Sequence, residues 1–229
     1  MYKYLLFDLD DTLLDFKKAQ DSAMTENLQN HQIKATPEIL KKYAEINAFC
    51  WHQFEKGKFS RPEIFVNRVK MLGDFLGTEF EYQSFTSRYL ECLSRQGQII
   101  PYSVELLIRL GKKGYKISAA SNGTVAAQTG RLVVSGLAGF FKDGIFLSEK
   151  VGIQKPNLEF FEYVLNKLGV KNKKEVLMIG DSISSDIAGA NAVGIDSCLV
   201  DFDKNHTSET VDATYIINSL EEIITVCKL

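Results

Sequence analysis

Hydrophobic positions along the chain follow two rhythms. At the start, the apolar run Tyr4-Leu5-Leu6-Phe7 leads directly into Asp8-Leu9-Asp10-Asp11. Consecutive apolar residues predict a strand buried on both faces, and the carboxylates predict that its carboxyl end opens to solvent or to a ligand. From about Phe16 to Arg95 the spacing changes to three and four, as in Ile39, Tyr43, Ile46, Cys50 and Phe54. This period predicts helices over 17–30, 38–55, 61–77 and 82–95. Thr36-Pro37-Glu38 and Ser60-Arg61-Pro62-Glu63 read as helix starts, each with a hydroxyl cap, an early proline and an early acid, while Gly57 and Gly77 read as stops.

From Pro101 onward strand and helix patterns alternate. Helices are predicted over Tyr102–Lys113, Val125–Ser135, Leu158–Leu168, Ser184–Val193 and Ser219–Val226. Between them lie strand patterns at Tyr115–Ala120, Ile145–Leu147, Val176–Ile179 and Ser197–Val200, with Tyr215–Ile217 as an edge strand. Such alternation indicates an α/β fold with a parallel sheet covered on both faces, and Tyr4–Phe7 must join that sheet because it cannot bury itself. The expected organisation is a core of residues 1–15 and 98–229 and an all-helical insert over 16–97, with hinges near Asp15–Phe16 and Gln98–Pro101.

Composition narrows the classes. The chain has 229 residues, 45% of them hydrophobic, enough to bury a sizeable core as one large domain or one domain carrying an insertion. Charged residues make up 24% and the formal net charge is −2, which argues against a nucleic-acid polymer or an anionic membrane surface as partner. Cys50, Cys92, Cys198 and Cys227 are far apart and lack C-x-x-C spacing, so buried reduced thiols are expected. The first apolar run is too short for a signal-peptide core, and no run approaches about eighteen apolar residues. A soluble, cytoplasmic protein is the expectation.

Two further segments repeat the design of the opening one, a strand pattern that ends in polar residues. Strand 115–120 ends in Ser121-Asn122-Gly123, and strand 176–179 ends in Gly180-Asp181-Ser182 with Asp186 soon after. In an open parallel sheet all carboxyl ends lie on one edge, where ligands bind at the topological switch point, so these groups should converge. Lys155, held extended by Pro156, can bring an ammonium to the same edge. Asp8 and Asp10, two apart on an extended segment, raise each other's proton affinity unless a cation intervenes. The plain alternative for the opening stretch is an acidic turn. Taken together, Asp8, Asp10, Asp181 and Asp186 with one ammonium, one hydroxyl and loop amides describe a site for Mg2+ and a phosphoryl group. A carboxylate can attack phosphorus once the repulsion between anions is neutralised, and a second acid can protonate the leaving oxygen and later deprotonate water.

Asp8-Leu9-Asp10-Asp11-Thr12, Ser121-Asn122-Gly123, Lys155-Pro156 and Gly180-Asp181-Ser182-Ile183-Ser184-Ser185-Asp186, in this order, resemble the four-motif set of the haloacid dehalogenase (HAD) superfamily. The helical segment between the first two motifs resembles the cap of its subfamily I. This resemblance spans the chain and implies a Rossmann-like, doubly wound parallel sheet with an inserted helical cap. It further implies Asp8 as nucleophile and metal ligand, and Asp10 as general acid/base with its backbone carbonyl on the metal. Asp181 would ligate Mg2+, Asp186 would support the metal, and Ser121, Asn122 and Lys155 would hold the phosphate. Metal-independent dehalogenases of the superfamily lack an acid at the position of Asp10, so its presence favours phosphate chemistry. Ser121 through Leu132, Ser148 through Asn157, Trp51 and Glu55-Lys56-Gly57 are similar to the house-cleaning pyrimidine 5′-nucleotidases. The implied activity is magnesium-dependent hydrolysis of a small-molecule phosphate ester through an aspartyl phosphate, by a monomer or homodimer.

Other features have plainer readings. Trp51 and Phe54 at helical spacing are assigned to core packing. His31, His52 and His206 show no ligand spacing, and Asp11 and Asp15 are assigned to turn or hinge roles, with Thr12 orienting the loop. Two rival activities share the constellation: a phosphosugar mutase or a phosphatase for phosphoglycolate or a sugar phosphate, and a phospho-accepting signalling module. Against the module stand a general acid two residues after the acceptor and a long insert, which has no use in a docking switch.

Overall fold

The computed structural model describes residues 1–228. Its strands are β1 (Tyr4–Phe7), β2 (Lys116–Ser121), β3 (Gly144–Leu147), β4 (Val176–Gly180), β5 (Asp196–Val200) and β6 (Tyr215–Ile217). The helices are α1 (Phe16–Asn30), α2 (Pro37–Glu55), α3 (Arg61–Leu76), α4 (Tyr82–Ser94), α5 (Ser103–Lys112), α6 (Val125–Val134), α7 (Ser148–Val151), α8 (Leu158–Lys167), α9 (Ala188–Val193) and α10 (Ile223–Val226). Two compact units result. One comprises Met1–Asp15, Ile99–Val125 and the chain from Ser135 onward, and the other Phe16–Gln98 with Ala126–Val134.

The first unit is an α/β sheet domain whose six strands all run parallel in the order β3-β2-β1-β4-β5-β6. Alternate side chains of a strand go to opposite faces, so a strand apolar at every position needs cover on both. Leu6, Ala120, Val176 and Met178 pack with Phe160, Phe161 and Val164 of α8 and Ala190 and Val193 of α9. Leu5, Phe7, Ile117, Ala119, Leu177 and Ile179 are equally buried on the other face, and α5 packs against β2. Burying each large apolar side chain is worth about 1.5–3 kcal/mol, which is why β1 can sit at the centre with both faces covered.

Local details depart from the sequence pattern where hydrogen bonds compete with helix propensity. The helix expected over 184–193 opens as a wide turn at Ile183–Ile187, with Ile187 N–H donating to the Ser182 carbonyl, and becomes regular only in α9. A short helix, α7, follows β3 without an advance signal, and the closing helix begins with a tight turn at Leu220–Glu222 before α10.

The helical unit holds α1 to α4 together with α6, a helix that the strand–helix alternation assigns to the core. Thr36 caps α2 by accepting from Ile39 N–H at 3.3 Å, and Glu63 accepts from Ser60 N–H at 2.7 Å in a capping box on α3. Gly57 and Gly77 close α2 and α3 in the left-handed region, as only glycine does without strain. Phe54 lies in this unit's apolar core and Trp51 packs edge-on against it at 5.6 Å. Within the same core Arg68 is buried, its guanidinium facing the rings of Phe65, Tyr43 and Tyr89 and donating to Asn47 Oδ1 at 2.9 Å.

Helix α6 approaches the end of α4 closely: a Cβ at Gly130 would stand 2.4 Å from the Ser94 carbonyl oxygen. That atom is backbone and cannot swing away. Gly130→Ala is therefore expected to lower stability by about 1–3 kcal/mol, more than the ~1 kcal/mol that alanine's helix propensity restores. Urea denaturation measures this, and an unchanged or higher midpoint would show that the two helices separate freely.

Candidate active site

Sheet register assembles the site. Phe7 pairs with Ala119 on one side and Ile179 on the other, and Asp8 N–H donates to the Ile179 carbonyl at 2.8 Å. Continuing one residue, Asp8 stands beside Ala120 of β2 and Gly180 of β4. The strand order reverses direction between β1 and β4, the switch point where the crevice of such sheets opens. Asp8 leaves β1 there and Asp181 leaves β4. The chain after β1 folds back at once: Asp11 takes a φ of 53°, its N–H bonds to the Leu14 carbonyl, and Thr12 donates its hydroxyl hydrogen to Asp181 Oδ1 at 3.3 Å.

Lys155 is the hub. Its ammonium, 1% exposed as a residue, donates to Asp8 Oδ1 at 2.5 Å, Asp186 Oδ1 at 2.6 Å and the Ala120 carbonyl at 2.7 Å. All three donors of the ammonium are thereby used. Burial opposes its charge, but Asp186 and Asp8 outweigh burial and hold the lysine above its ordinary value. Burial also raises the proton affinity of Asp8. Lys155 counters this, and the charges of Asp186 and Asp10 add to it. Asp181, the least buried of the three clustered acids, is raised by loss of solvation and by the charges of Asp8, Asp186 and Asp11.

Carboxylate oxygens of Asp8, Asp181 and Asp186 all lie within 4.8 Å of one another. With all three ionised, one ammonium leaves two negative charges uncompensated, a deficit that shows in the raised proton affinity of Asp8 and Asp181. A divalent cation supplies that deficit, and an all-oxygen donor set without histidine or cysteine suits a hard ion of the magnesium and calcium kind. The residues present fit such an ion.

Convergence extends to most of the expected residues. Asp8, Asp181, Asp186 and Lys155 meet directly. Asp186, expected only in support, is a full member of the acidic cluster and the second partner of Lys155. The Asp10 carboxylate stands outside the 4.8 Å set but close enough to act on Asp8. Ser121 is buried at the end of β2, with its Oγ accepting from Gly123 N–H at 3.1 Å. Asn122, expected at the phosphate, has its side-chain amide engaged with the Lys155 backbone. Thr12, expected to orient the loop, bonds to Asp181, whereas Ser182, whose N–H donates to Asp186 Oδ2 at 3.2 Å, and Ser148 and Glu149, which hold the Asn122 loop, were not among the expected site residues. Ser148 and Glu149 lie in the stretch similar to the pyrimidine 5′-nucleotidases, but nothing in that likeness gave them a role.

A parallel sheet with clustered carboxylates and a buried lysine at its switch point makes a centre suited to a cation and an anionic group. The chain belongs to the haloacid dehalogenase-like hydrolases, whose family model matches residues 2–194. It is 36% identical over 225 residues to the pyrimidine 5′-nucleotidase PynA of Streptococcus pneumoniae, covering 97% of this chain and 94% of that protein. Identity to the pyrimidine 5′-nucleotidase YjjG of Escherichia coli is 26% over 222 residues, covering 97% and 96%. Among solved structures, the HAD-hydrolase YfnB of Bacillus subtilis bound to magnesium superposes with a TM-score of 0.92 at 33% identity, over 100% of this chain and 99% of that one.

Gly180 leaves room for Asp186: a Cβ there would meet Asp186 Oδ2 at 2.2 Å and Cγ at 2.4 Å. Asp186 is fully buried and has nowhere to go. Gly180→Ala is expected to weaken Mg2+ binding by about tenfold or more, as loss of a supporting partner does, in titration calorimetry of the purified protein. Unchanged affinity would show that Asp186 tolerates displacement.

Proposed function

We propose that the protein is a magnesium-dependent phosphomonoesterase acting on small phosphate esters, with nucleoside 5′-monophosphates as its preferred substrates. The observation that carries the reading is the excess of carboxylate over ammonium around Lys155 at the sheet's switch point, with a further acid, Asp10, two residues from Asp8. Similarity to PynA and YjjG, both pyrimidine 5′-nucleotidases by name, supports the substrate class.

In this reading an Asp8 oxygen attacks phosphorus, the bond from phosphorus to the ester oxygen breaks, and Asp10 gives its proton to the departing alkoxide. Asp10 then takes a proton from water, whose oxygen attacks phosphorus. The bond to Asp8 breaks and inorganic phosphate leaves. Ser121 and the amides of its loop hold the phosphate oxygens, while Lys155 opposes the rise in proton affinity that burial gives Asp8 and keeps it aligned. Asp8 and Asp181, with the Asp10 carbonyl and Asp186, would hold Mg2+, whose charge offsets the meeting of a carboxylate with a phosphate dianion. The helical insert carries none of these groups, and we assign it the choice of the organic half of the substrate.

The test is a panel of phosphate esters assayed with Mg2+, with and without chelator. Pyrimidine nucleoside monophosphates should give the highest kcat/KM, and chelation should abolish turnover. Better turnover of sugar phosphates would end the nucleotidase reading and leave the phosphatase one standing. Asp8→Asn should lose activity by about a thousandfold or more, since several kcal/mol are at stake and each ~1.4 kcal/mol is tenfold. Activity within tenfold of the wild type would remove Asp8 from the nucleophile's role.

Asp10→Asn bears on the covalent route. With a nitrophenyl ester, whose leaving group hardly needs a proton, the variant should form the phospho-enzyme faster than it hydrolyses it. Rapid-quench labelling that finds no aspartyl phosphate in wild type or variant would rule out the two-step route. A long-lived phospho-enzyme in the wild type would instead favour the signalling module.

A further inference from the structure

Lys155 has to place one nitrogen within 2.7 Å of three acceptors, yet the backbone that carries it belongs to no helix or strand. It sits between Gly152 and the start of α8 at Leu158, and the following residue, Pro156, has no N–H to donate. What fixes it is a single side chain 33 residues away. Asn122 Oδ1 accepts from the Lys155 N–H at 2.9 Å, and Asn122 Nδ2 donates to the Lys155 carbonyl at 2.9 Å. Among the described residues these are the only hydrogen bonds to the Lys155 backbone. The carboxamide acts as a strand edge would, closing both polar groups of one residue at once.

Asn122 is itself held. Ser148 donates its hydroxyl hydrogen to the Asn122 carbonyl at 3.2 Å, Glu149 Oε2 accepts from Val125 N–H at 2.7 Å, and the Gly123 N–H donates to Ser121 Oγ at 3.1 Å. The loop after β2 is therefore pinned at three points, and Asn122 transmits its position to Lys155. We propose that the Asn122 side chain is a positioning group that acts through the backbone of Lys155 and not on the substrate phosphate. The proposal rests on the reading of Lys155 as the ammonium that holds Asp8 ready for attack. Its reach is larger than that of one hydrogen bond, because a shift of about 1 Å in the lysine backbone would break contacts to Asp8, Asp186 and Ala120 together, and misplacement of that size costs about a hundredfold in rate.

Two variants test it. Asn122→Ala removes both bonds, whereas Asn122→Asp keeps the acceptor for the Lys155 N–H. In the substrate-free protein, amide hydrogen exchange at Lys155, followed by NMR, should accelerate at least about tenfold in the alanine variant and stay slow in the aspartate variant. With nitrophenyl phosphate and Mg2+, kcat should fall about a hundredfold in Asn122→Ala, and Asn122→Asp should recover part of the loss. Circular dichroism confirms that each variant is folded, and if Asn122→Ala is not, Asn122→Asp against wild type carries the comparison through kcat and exchange. Loss of kcat with the Lys155 amide still protected would mean that Asn122 acts on the substrate. Fast exchange with unchanged kcat would mean that the clamp does not matter to Lys155. Either result overturns the proposal. Lys155→Met tests the underlying reading separately: full activity in that variant would remove Lys155 from the mechanism while leaving the exchange result to stand on its own.

Discussion

A lone ammonium shared among buried carboxylates sets the terms for everything at the carboxyl edge of this sheet. Charges taken out of water are tolerated only when their geometry is tight, since removing one partner of a buried pair leaves the other uncompensated at a cost of about 3–5 kcal/mol. Lys155 meets that demand by spending all three donors on Asp8, Asp186 and the Ala120 carbonyl. The demand then spreads outward. Asp186 needs the space left by Gly180 and the N–H of Ser182, Asp181 is met by the Thr12 hydroxyl, and the lysine backbone needs Asn122. None of these partners is a reacting group, yet each holds a charge where it can be tolerated.

The wide turn at Ile183–Ile187 belongs to the same economy of geometry. A regular helix starting at Ser184 would carry Asp186 on α-helical spacing from the end of β4. The observed turn instead lets Ser182 N–H and Asp186 Oδ2 meet at 3.2 Å, and Ser182 Oγ caps the turn by accepting from Ser185 N–H at 3.2 Å. Turns of this width are frequent at functional sites because they reposition one side chain without ending the helix. Regularity resumes at Ala188, where the helix has only to pack against α8.

How far the sequence foretold this differs by level. Strand β1, the acid positions at the ends of β1 and β4, and the starts of α2 and α3 were legible because periodicity, proline, capping hydroxyls and glycine act locally. Asp8, Lys155, Asp181 and Asp186 could be gathered on paper because parallel strands put their carboxyl ends on one edge. Long-range hydrogen bonding was not legible. That Asn122 would turn to the Lys155 backbone depends on a contact between loops 33 residues apart, which no spacing rule encodes. The grouping of α6 with the helical unit escaped for a similar reason: its strand–helix context is that of a core helix, while its packing is decided by Gly130 against Ser94 and Ala127 among the cap's apolar residues. Arg68 drew no reading from the sequence, and the fold shows it enclosed by three aromatic rings.

Two aspartates separated by one leucine end in different surroundings, and on the proposed reading that difference assigns their work. Asp8 is 7% exposed, bonded to the ammonium and crowded by Asp181 and Asp186. An oxygen so held is fixed in direction and, once a cation offsets the surplus charge, is available as a nucleophile. Asp10 lies half-buried beyond the cluster, where the chain bends back through the left-handed Asp11. On the same reading it is the acid that exchanges a proton with a leaving group or with water. Pairs of acids whose environments diverge are how one site performs both attack and proton transfer near neutral pH. Here the divergence is made by the backbone: β1 ends at Phe7, so Asp8 is still held by the sheet through the Ile179 carbonyl while Asp10 already belongs to the turn. The two roles therefore follow from where the strand stops, one residue before the first acid.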